Sequence, residues 1–464
     1  MCLLLFIFSS MFIGQKGYTI PKDLLTATQQ QELKRQLTFS PQTANSYGDT
    51  KEFYAYRESP NKFYTPRFYG LRKYGDVPDQ LNPGKPIHIE FRGTIRPDQQ
   101  DAVDAFMRTR QGLLELPCGF GKTILALYLI HLIQRKTIVI VHKEFLLEQW
   151  VERIREFLPN ASIGRIQGDT IDIGKDIVIG MLQSISMKSY PKEVFQEFGF
   201  TIIDETHHIA AEVFSNALFQ LVTPCMLGLS ATMERKDGLT KVFKLFLGEI
   251  VYSAQRERTQ VYVHKVSYST DNEEYNTVVK NFKGDTNYTS MIKKISEFNP
   301  RKECILNILT QILKLPTTKQ VMILSHTKQL LSFLHDAIEY RQLGTVGYYV
   351  GGMKQSALKD SETKQIVLAT FAMAEEALDI KTLTTLILAT PKTDVTQAVG
   401  RILRVKHEAP LVIDIVDSHP TFVNQWKKRR AYYNSQGYTL VETTHDTYPV
   451  PIKKTKQKPV CFLT

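Results

Sequence analysis

The chain alternates short apolar runs with longer stretches of helical character, and it does so twice. In the first half the runs fall at 112–116, 137–141, 176–180, 198–203 and 225–228, and the segment 123–133 reads as an apolar helix. Uninterrupted apolar runs suit strands of a parallel sheet, because those strands are buried on both faces. Strands alternating with helices predict a doubly wound α/β domain. A polar stretch rich in Asn, Thr and charge, 267–299, breaks the pattern and reads as a linker or an inserted hairpin. Alternation resumes at 321–325, 345–350, 366–369, 385–389 and 411–416, which predicts a second α/β domain. The expected division is an N-terminal accessory region at 1–86, a first α/β domain at 87–255, a linker or insertion at 256–298, a second α/β domain at 299–419 and a basic tail at 420–464.

Two stretches carry chemistry. Leu116-Pro117-Cys118-Gly119-Phe120-Gly121-Lys122-Thr123 joins a predicted strand to a predicted helix. Glycines there let backbone N–H groups approach phosphate oxygens, and the helix offers its positive end to the anion. Lys122 is placed to meet the β- and γ-phosphates, and the Thr123 hydroxyl to hold Mg²⁺. Leu116 departs from the strict pattern, which has glycine at that position. Further on, the apolar run 198–203 ends in Asp204 and Glu205, which is how a buried parallel strand delivers carboxylates to its carboxyl end. Asp204 can ligand Mg²⁺, and Glu205 can orient and polarise the attacking water. Each stretch alone has a plain structural reading, a glycine turn or a solvated strand end. Together they make a site for splitting a nucleoside triphosphate.

The second predicted domain has no phosphate loop. Its Gln397-Ala-Val-Gly400-Arg401-Ile-Leu-Arg404 segment carries two arginines three residues apart, hence on one face of a helix. Planar guanidinium groups stabilise charge on a transferring phosphoryl group; the alternative is an exposed basic helix. Residues 26–86 form a polar leader in which Phe63-Tyr-Thr-Pro-Arg-Phe-Tyr-Gly70 and Arg72-Lys-Tyr74 mix cationic and stacking groups. These read first as a docking surface for the neighbouring domain and second as a nucleic-acid contact.

Composition narrows the partners. Lys and Arg number 58 against 47 Asp and Glu, a net charge of +11, which favours a polyanionic partner without naming it. The five cysteines show no Cys-x-x-Cys pair, so neither a disulfide framework nor zinc is expected, and a reducing, intracellular setting is. The apolar run 2–13 lacks a basic n-region and is too short to span a bilayer, so no membrane role is expected and Met11 is an alternative start. The closing Cys461-Phe-Leu-Thr464 ends in a residue atypical of a prenylation box. Lys427-Lys-Arg-Arg430 and Lys453-Lys454 read as a solvated end or a nucleic-acid contact.

Taken in order, the motifs resemble those of superfamily 2 helicases and translocases over nearly all of 87–416. Arg96-Pro-Asp-Gln99 resembles the segment whose glutamine reads adenine, and 116–123 resembles motif I. His142, Lys143, Gln149 and Trp150 within 139–150 are similar to motif Ia, and 178–185 to motif Ib. Asp204-Glu205-Thr-His207 resembles a DExH motif II, and Ser230-Ala231-Thr232 motif III. Residues 321–331 resemble motif IV, Ala369-Thr370 with Glu376-Ala-Leu-Asp379 motif V, and 397–404 motif VI. The Pro-Cys-Gly form of motif I, Arg235-Lys-Asp-Gly238 and the Phe-Tyr-Thr-Pro-Arg leader resemble the XPB-like DNA translocases and the transcript-release helicases of large DNA viruses. Lys236, Glu375 and Ala377 depart from that narrower pattern.

The resemblance implies two tandem RecA-like domains that hydrolyse ATP with Mg²⁺ in the cleft and move along nucleic acid. In that picture Lys122, Thr123, Asp204 and Glu205 perform the chemistry, Arg401 and Arg404 complete the site, and Pro117, Cys118, Gly119, Phe120 and Gly121 cradle phosphate. Gln99 selects adenine. His207, Ser230, Ala231, Thr232, Asp379, Gln397 and Gly400 couple hydrolysis to the strand. DNA is the preferred track and RNA the alternative, with transcription machinery a further partner by analogy. A reading of another class is a nucleotide-gated interaction module that does not translocate.

Overall fold

The computed structural model describes residues 11–40, 52–117, 119–191, 193–205, 211–231, 239–254, 260–376, 380–403 and 407–448. The chain divides into two units, Met1–Arg256 and Glu257–Thr464. Together with the relatives reported below, their sheets and flanking helices are those of two tandem RecA-like domains.

The first unit is built on eight strands in the order Thr170–Ile171, Ile163–Gln167, Ile177–Met181, Thr137–Val141, Phe200–Ile203, Cys225–Ser230, Gln111–Glu115 and Ile250–Ser253. All neighbours pair in parallel except the first two, which form an antiparallel edge ribbon. Successive side chains of a strand point to opposite faces. Ile138 and Ile140 accordingly enter one core cluster, while Val139 and Val141 enter the other. Each such side chain contributes about 1.5–3 kcal/mol by leaving water. A sheet buried on both faces leaves its strand ends as the place for polar chemistry.

The N-terminal region docks on one of these faces. An antiparallel sheet in the order Phe12–Gly14, Gly17–Pro21, Lys62–Thr65 and Arg57–Glu58 carries Tyr18, Ile20 and Phe63 into the cluster that holds Ile138 and Ile140. The following helix, Arg67–Tyr74, lies so close that a Cβ on Gly70 would fall 2.0 Å from the Tyr18 ring. Arg67, buried at the start of that helix, donates to the carbonyls of Thr223 and Pro224 and to Asp79. The docking reading of Phe63, Arg67 and Tyr69 therefore holds, because a stacking or cationic group committed to a protein core cannot also receive a base.

The second unit carries seven parallel strands in the order Val346–Tyr349, Ile366–Thr370, Val321–Ser325, Thr385–Leu388, Leu411–Asp417, Tyr262–Tyr268 and Thr439–Thr444. Two of these come from segments expected to lie outside the domain. The stretch 256–298 supplies Tyr262–Tyr268, and 420–464 supplies the helix Pro420–Ser435 and the edge strand Thr439–Thr444. His264 and Lys265 interrupt the apolar run, and the edge strand is polar because it has one neighbour. A search for continuous apolar runs misses both.

Two buried arginines tie flanking helices to the sheet, Arg301 from Asn299–Leu313 and Arg429 from Pro420–Ser435. Arg301 meets Asp417 through Nε at 2.5 Å and Nη2 at 2.9 Å, with Nη1 on the Ala389 carbonyl at 2.8 Å and the Tyr275 hydroxyl donating to the same carboxylate. Arg429 meets Asp414 at 2.7 and 2.8 Å, and the Tyr433 hydroxyl joins at 3.0 Å. Both aspartates lie on the strand Leu411–Asp417 and both pairs are fully buried. Removing one partner of such a pair strands a charge, at a cost of about 3–5 kcal/mol. Arg429 is therefore structural, whereas Lys427, Lys428 and Arg430 around it are exposed.

Arg301→Ala is expected to destabilise the second unit by about 3–5 kcal/mol. Each unit has one of the chain's two tryptophans, Trp150 and Trp426. Denaturant titration of a Trp150→Phe background, followed by Trp426 fluorescence, checks this; an unmoved midpoint contradicts it.

Candidate nucleotide site

The strand Gln111–Glu115 leads into the phosphate loop through Leu116. Leu116 is fully buried and its amide donates to the Ser230 carbonyl at 2.8 Å, so it still behaves as a strand residue. Its departure from glycine thus falls upstream of the turn. The turn itself is made by Gly119 and Gly121, at φ +87° and +86°. Left-handed backbone there costs a residue with a Cβ about 1–2 kcal/mol, and a Cβ on Gly121 would also lie 2.6 Å from Gln99 Nε2. The helix Lys122–Ile133 begins directly afterwards with no side-chain cap, leaving its positive end for an anion.

The helix Pro97–Thr109 buttresses the loop from behind. Buried Gln99 donates from Nε2 to the Phe120 carbonyl at 2.7 Å and accepts the Arg96 amide on Oε1 at 3.0 Å. Arg96 Nη2 reaches the same Phe120 carbonyl at 2.8 Å. Gln99 thus spends Nε2 on the loop and Oε1 on the start of its own helix.

Asp204 and Glu205 follow the strand Phe200–Ile203. The strand Cys225–Ser230 lies between that strand and the loop strand, and the three run parallel, so their carboxyl ends share one edge. There Lys122 Nζ donates to Glu205 Oε1 at 2.7 Å. Glu205 sits at φ +51°, an uncommon conformation for a residue with a side chain. Asp204 is buried; one carboxylate oxygen accepts the Glu205 amide and the other the Trp150 indole N–H, each at 2.9 Å. Burial pushes its pKa up to about 6, the neighbouring Glu205 adds to this, and Lys122 and the indole N–H act in the opposite sense.

Trp150 is the residue whose role the motif reading missed. It sits on the helix Glu144–Phe157 with its rings in the core, and 54 residues separate it from Asp204. Helical periodicity marks it only as an apolar core position, so no local signal announces the bond.

The donor set suits a magnesium nucleotide. Among the described residues no three His, Cys, Asp or Glu side chains converge. Mg²⁺ needs no such cage, because it takes one or two carboxylates and fills its shell with water and phosphate oxygens. The uncapped glycine turn, Thr123 in the first helical turn and the buried carboxylate of Asp204 provide that arrangement.

Other expected residues are placed separately. Ser230 ends its strand beside the loop, with Ala231 next to it. In the second unit, Gln397, Gly400 and Arg401 lie on the helix Thr396–Arg401, which closes at Arg401. Arg404, expected on the same helical face as Arg401, lies outside the described residues. Arg401 is buried, which removes the exposed-basic-helix reading for it. Cys118, His207, Thr232, Asp379 and Arg404 lie outside the described residues.

Comparison with known proteins gives the family. A family described as type III restriction enzyme, res subunit, matches residues 92–235. A protein of Acanthamoeba polyphaga mimivirus named as the ATP-dependent RNA helicase L396 is 35% identical over 448 residues, covering 92% of this chain and 86% of that one. The chain belongs to the superfamily 2 ATP-dependent helicases. This helicase is also 24% identical to an African swine fever virus protein, QP509L, named as an ATP-dependent RNA helicase, over 80% of this chain and 79% of that one. It is 26% identical to the DNA 3'-5' translocase XPB2 of Sulfurisphaera tokodaii, over 82% of this chain and 94% of that one. Its fold is similar to that of the Mycobacterium smegmatis helicase Lhr bound to ssDNA and AMP-PNP, with a TM-score of 0.53 at 18% identity, over 75% of this chain and 49% of that chain.

Lys122→Ala is expected to lower steady-state ATP hydrolysis by about 100-fold or more, since the lost cation faces developing phosphoryl charge. Trp150→Phe removes a donor that favours the ionised form of Asp204, so the Asp204 pKa rises further. The acid limb of the pH profile of kcat/KM then moves to higher pH by about one unit. A limb that stays in place, or moves to lower pH, contradicts the assignment.

Proposed function

We propose that this helicase is a Mg²⁺-dependent ATP hydrolase that uses hydrolysis to move along DNA. The observation that carries the hydrolytic half is the Lys122–Glu205 pair at 2.7 Å beside buried Asp204. A triphosphate entering the glycine turn competes with Glu205 for Lys122. As the ammonium turns to the phosphates, the Glu205 carboxylate is released to hold and polarise the attacking water. Thr123 and Asp204 would hold Mg²⁺, which when bound neutralises phosphate charge. Thr123, next to Lys122, and Asp204, next to Glu205, keep that binding adjacent to the groups that exchange partners. Arg401 and Arg404 are read as the second unit's contribution to the same reaction, as the resemblance implies.

The choice of DNA is supported by the Sulfurisphaera tokodaii relative, whose name is DNA 3'-5' translocase and which this chain matches over 94% of its length. It is supported too by the Pro-Cys-Gly form of the phosphate loop. A second reading, RNA as the track, is favoured by the mimivirus and African swine fever virus relatives, which are named RNA helicases. Backbone contacts are largely independent of sequence, so the polymer is best read from catalytic stimulation rather than from binding alone.

Steady-state ATPase is to be measured without polymer and with duplex DNA, single-stranded DNA and RNA at fixed salt. Stimulation by DNA several-fold above RNA is the expected result. Stimulation by RNA alone replaces the DNA reading with the RNA one, and a rate unmoved by every polymer removes translocation altogether.

A further inference from the structure

The segment between the strand Tyr262–Tyr268 and the helix Tyr288–Glu297 builds a small hydrogen-bonded projection. At its root the Asn287 amide donates to the Val279 carbonyl at 2.8 Å, and Lys280 bridges antiparallel to Thr286. At its tip the Asn281 amide donates to the Asp285 carbonyl at 2.8 Å and the Gly284 amide to the Asn281 carbonyl at 3.0 Å. The Asn281 side chain closes the turn, accepting the amides of Lys283 and Asp285 at 2.9 and 3.0 Å, and Gly284 supplies the φ of +83°. Phe282 sits on this turn fully exposed, with exposed Lys280 and Lys283 on either side and Asp285 the acidic group of the turn.

Nothing in folding accounts for Phe282. An apolar ring held in water gains no burial, yet the turn that carries it is closed by its own hydrogen bonds and is not a floppy loop. The projection is also anchored at the carboxyl edge of the second unit's sheet. Tyr288, just past its root, donates from its hydroxyl to the Pro391 carbonyl at 2.8 Å and packs edge-on to His326 at 6.2 Å. His326 follows the strand Val321–Ser325, and Pro391 follows Thr385–Leu388. Both stand at the carboxyl end of parallel strands, the edge from which the chain runs on to the helix Thr396–Arg401.

We infer that the turn 281–285 is a stacking finger that places Phe282 against an unpaired base of a nucleic acid strand, with Lys280 and Lys283 on the flanking phosphates. The inference rests on the proposed translocation along nucleic acid. Every base has a π-face, so a lone aromatic ring grips a strand without reading its sequence, and flanking cations add a salt-dependent hold on the backbone. The pre-formed turn spares the ring most of the ordering entropy of binding. A ring inserted behind the last paired base also keeps separated strands from re-pairing, which gives this unit a means of strand separation.

The full-length protein is tested by fluorescence anisotropy with labelled single-stranded DNA and RNA, and by displacement of one strand from a partial duplex. Phe282→Ala is expected to bind the oligonucleotide about tenfold more weakly and to separate strands more slowly. Phe282→Trp, which keeps a stacking face, restores both. Tyr340→Ala, which removes another highly exposed aromatic ring remote in sequence, leaves both at the parental level. Lys280→Gln with Lys283→Gln flattens the salt dependence of binding. Phe282→Ala with parental affinity and displacement overturns the inference, including the case in which Phe282 meets a protein. A parent that binds neither polymer overturns the translocation reading and the finger with it, whereas a parent that binds normally beside an unaffected variant overturns the finger alone.

Discussion

The constraint on which this structure depends is the burial of parallel strands on both faces. Ile138 and Ile140 on one side and Val139 and Val141 on the other give the strand Thr137–Val141 apolar contacts on both faces. The same holds for Phe200–Ile203, every residue of which is buried. In this sheet the charged groups collect where the strands stop, since a buried charge without a partner is costly. Lys122, Asp204 and Glu205 meet because three adjacent parallel strands stop at one edge, and that edge collects phosphate loop and carboxylates together.

Around that edge the charges are balanced through short contacts. Lys122 with Glu205 and the indole of Trp150 with Asp204 keep two adjacent carboxylates from facing each other unscreened. Burial still raises the Asp204 pKa to about 6, and the neighbouring Glu205 adds to it. A residue held this way has more to gain from a bound divalent ion than an ordinary surface aspartate has, which is the usual condition of a working site. The second unit buries two carboxylates within and at the end of a single strand and pairs each with an arginine. Asp414 and Asp417 are neutralised by Arg429 and Arg301, and these pairs lock the flanking helices to the sheet.

Much of this was legible from the order of residues, and the limits have specific causes. The strands expected at 137–141, 321–325 and 366–369 are present within a residue, because a wholly apolar run bounded by polar residues has few other uses. Tyr262–Tyr268 and Thr439–Thr444 escaped because they are strands with polar residues in them, one next to an edge and one at it. In the site, Lys122, Asp204 and Glu205 announced themselves by type and spacing. Trp150 did not, and neither did the commitment of Gln99 to the Phe120 carbonyl, because both depend on a partner distant in the chain.

What the sequence by itself determined, then, is whatever is set by neighbours along the chain: the apolar runs that become buried strands, the glycines that let a turn reach φ near +87°, and the order of motifs that places this chain among helicases. Only the tertiary structure decided which of several similar residues do which work. Arg67 and Arg429 are structural while Lys427, Lys428 and Arg430 beside the latter are exposed, and Phe63 is buried while Phe282 stands in water. Residue type fixes what a side chain can do. Burial and the partner across the fold decide whether it does it, because a charge or a ring has a different free energy in a core than at a surface.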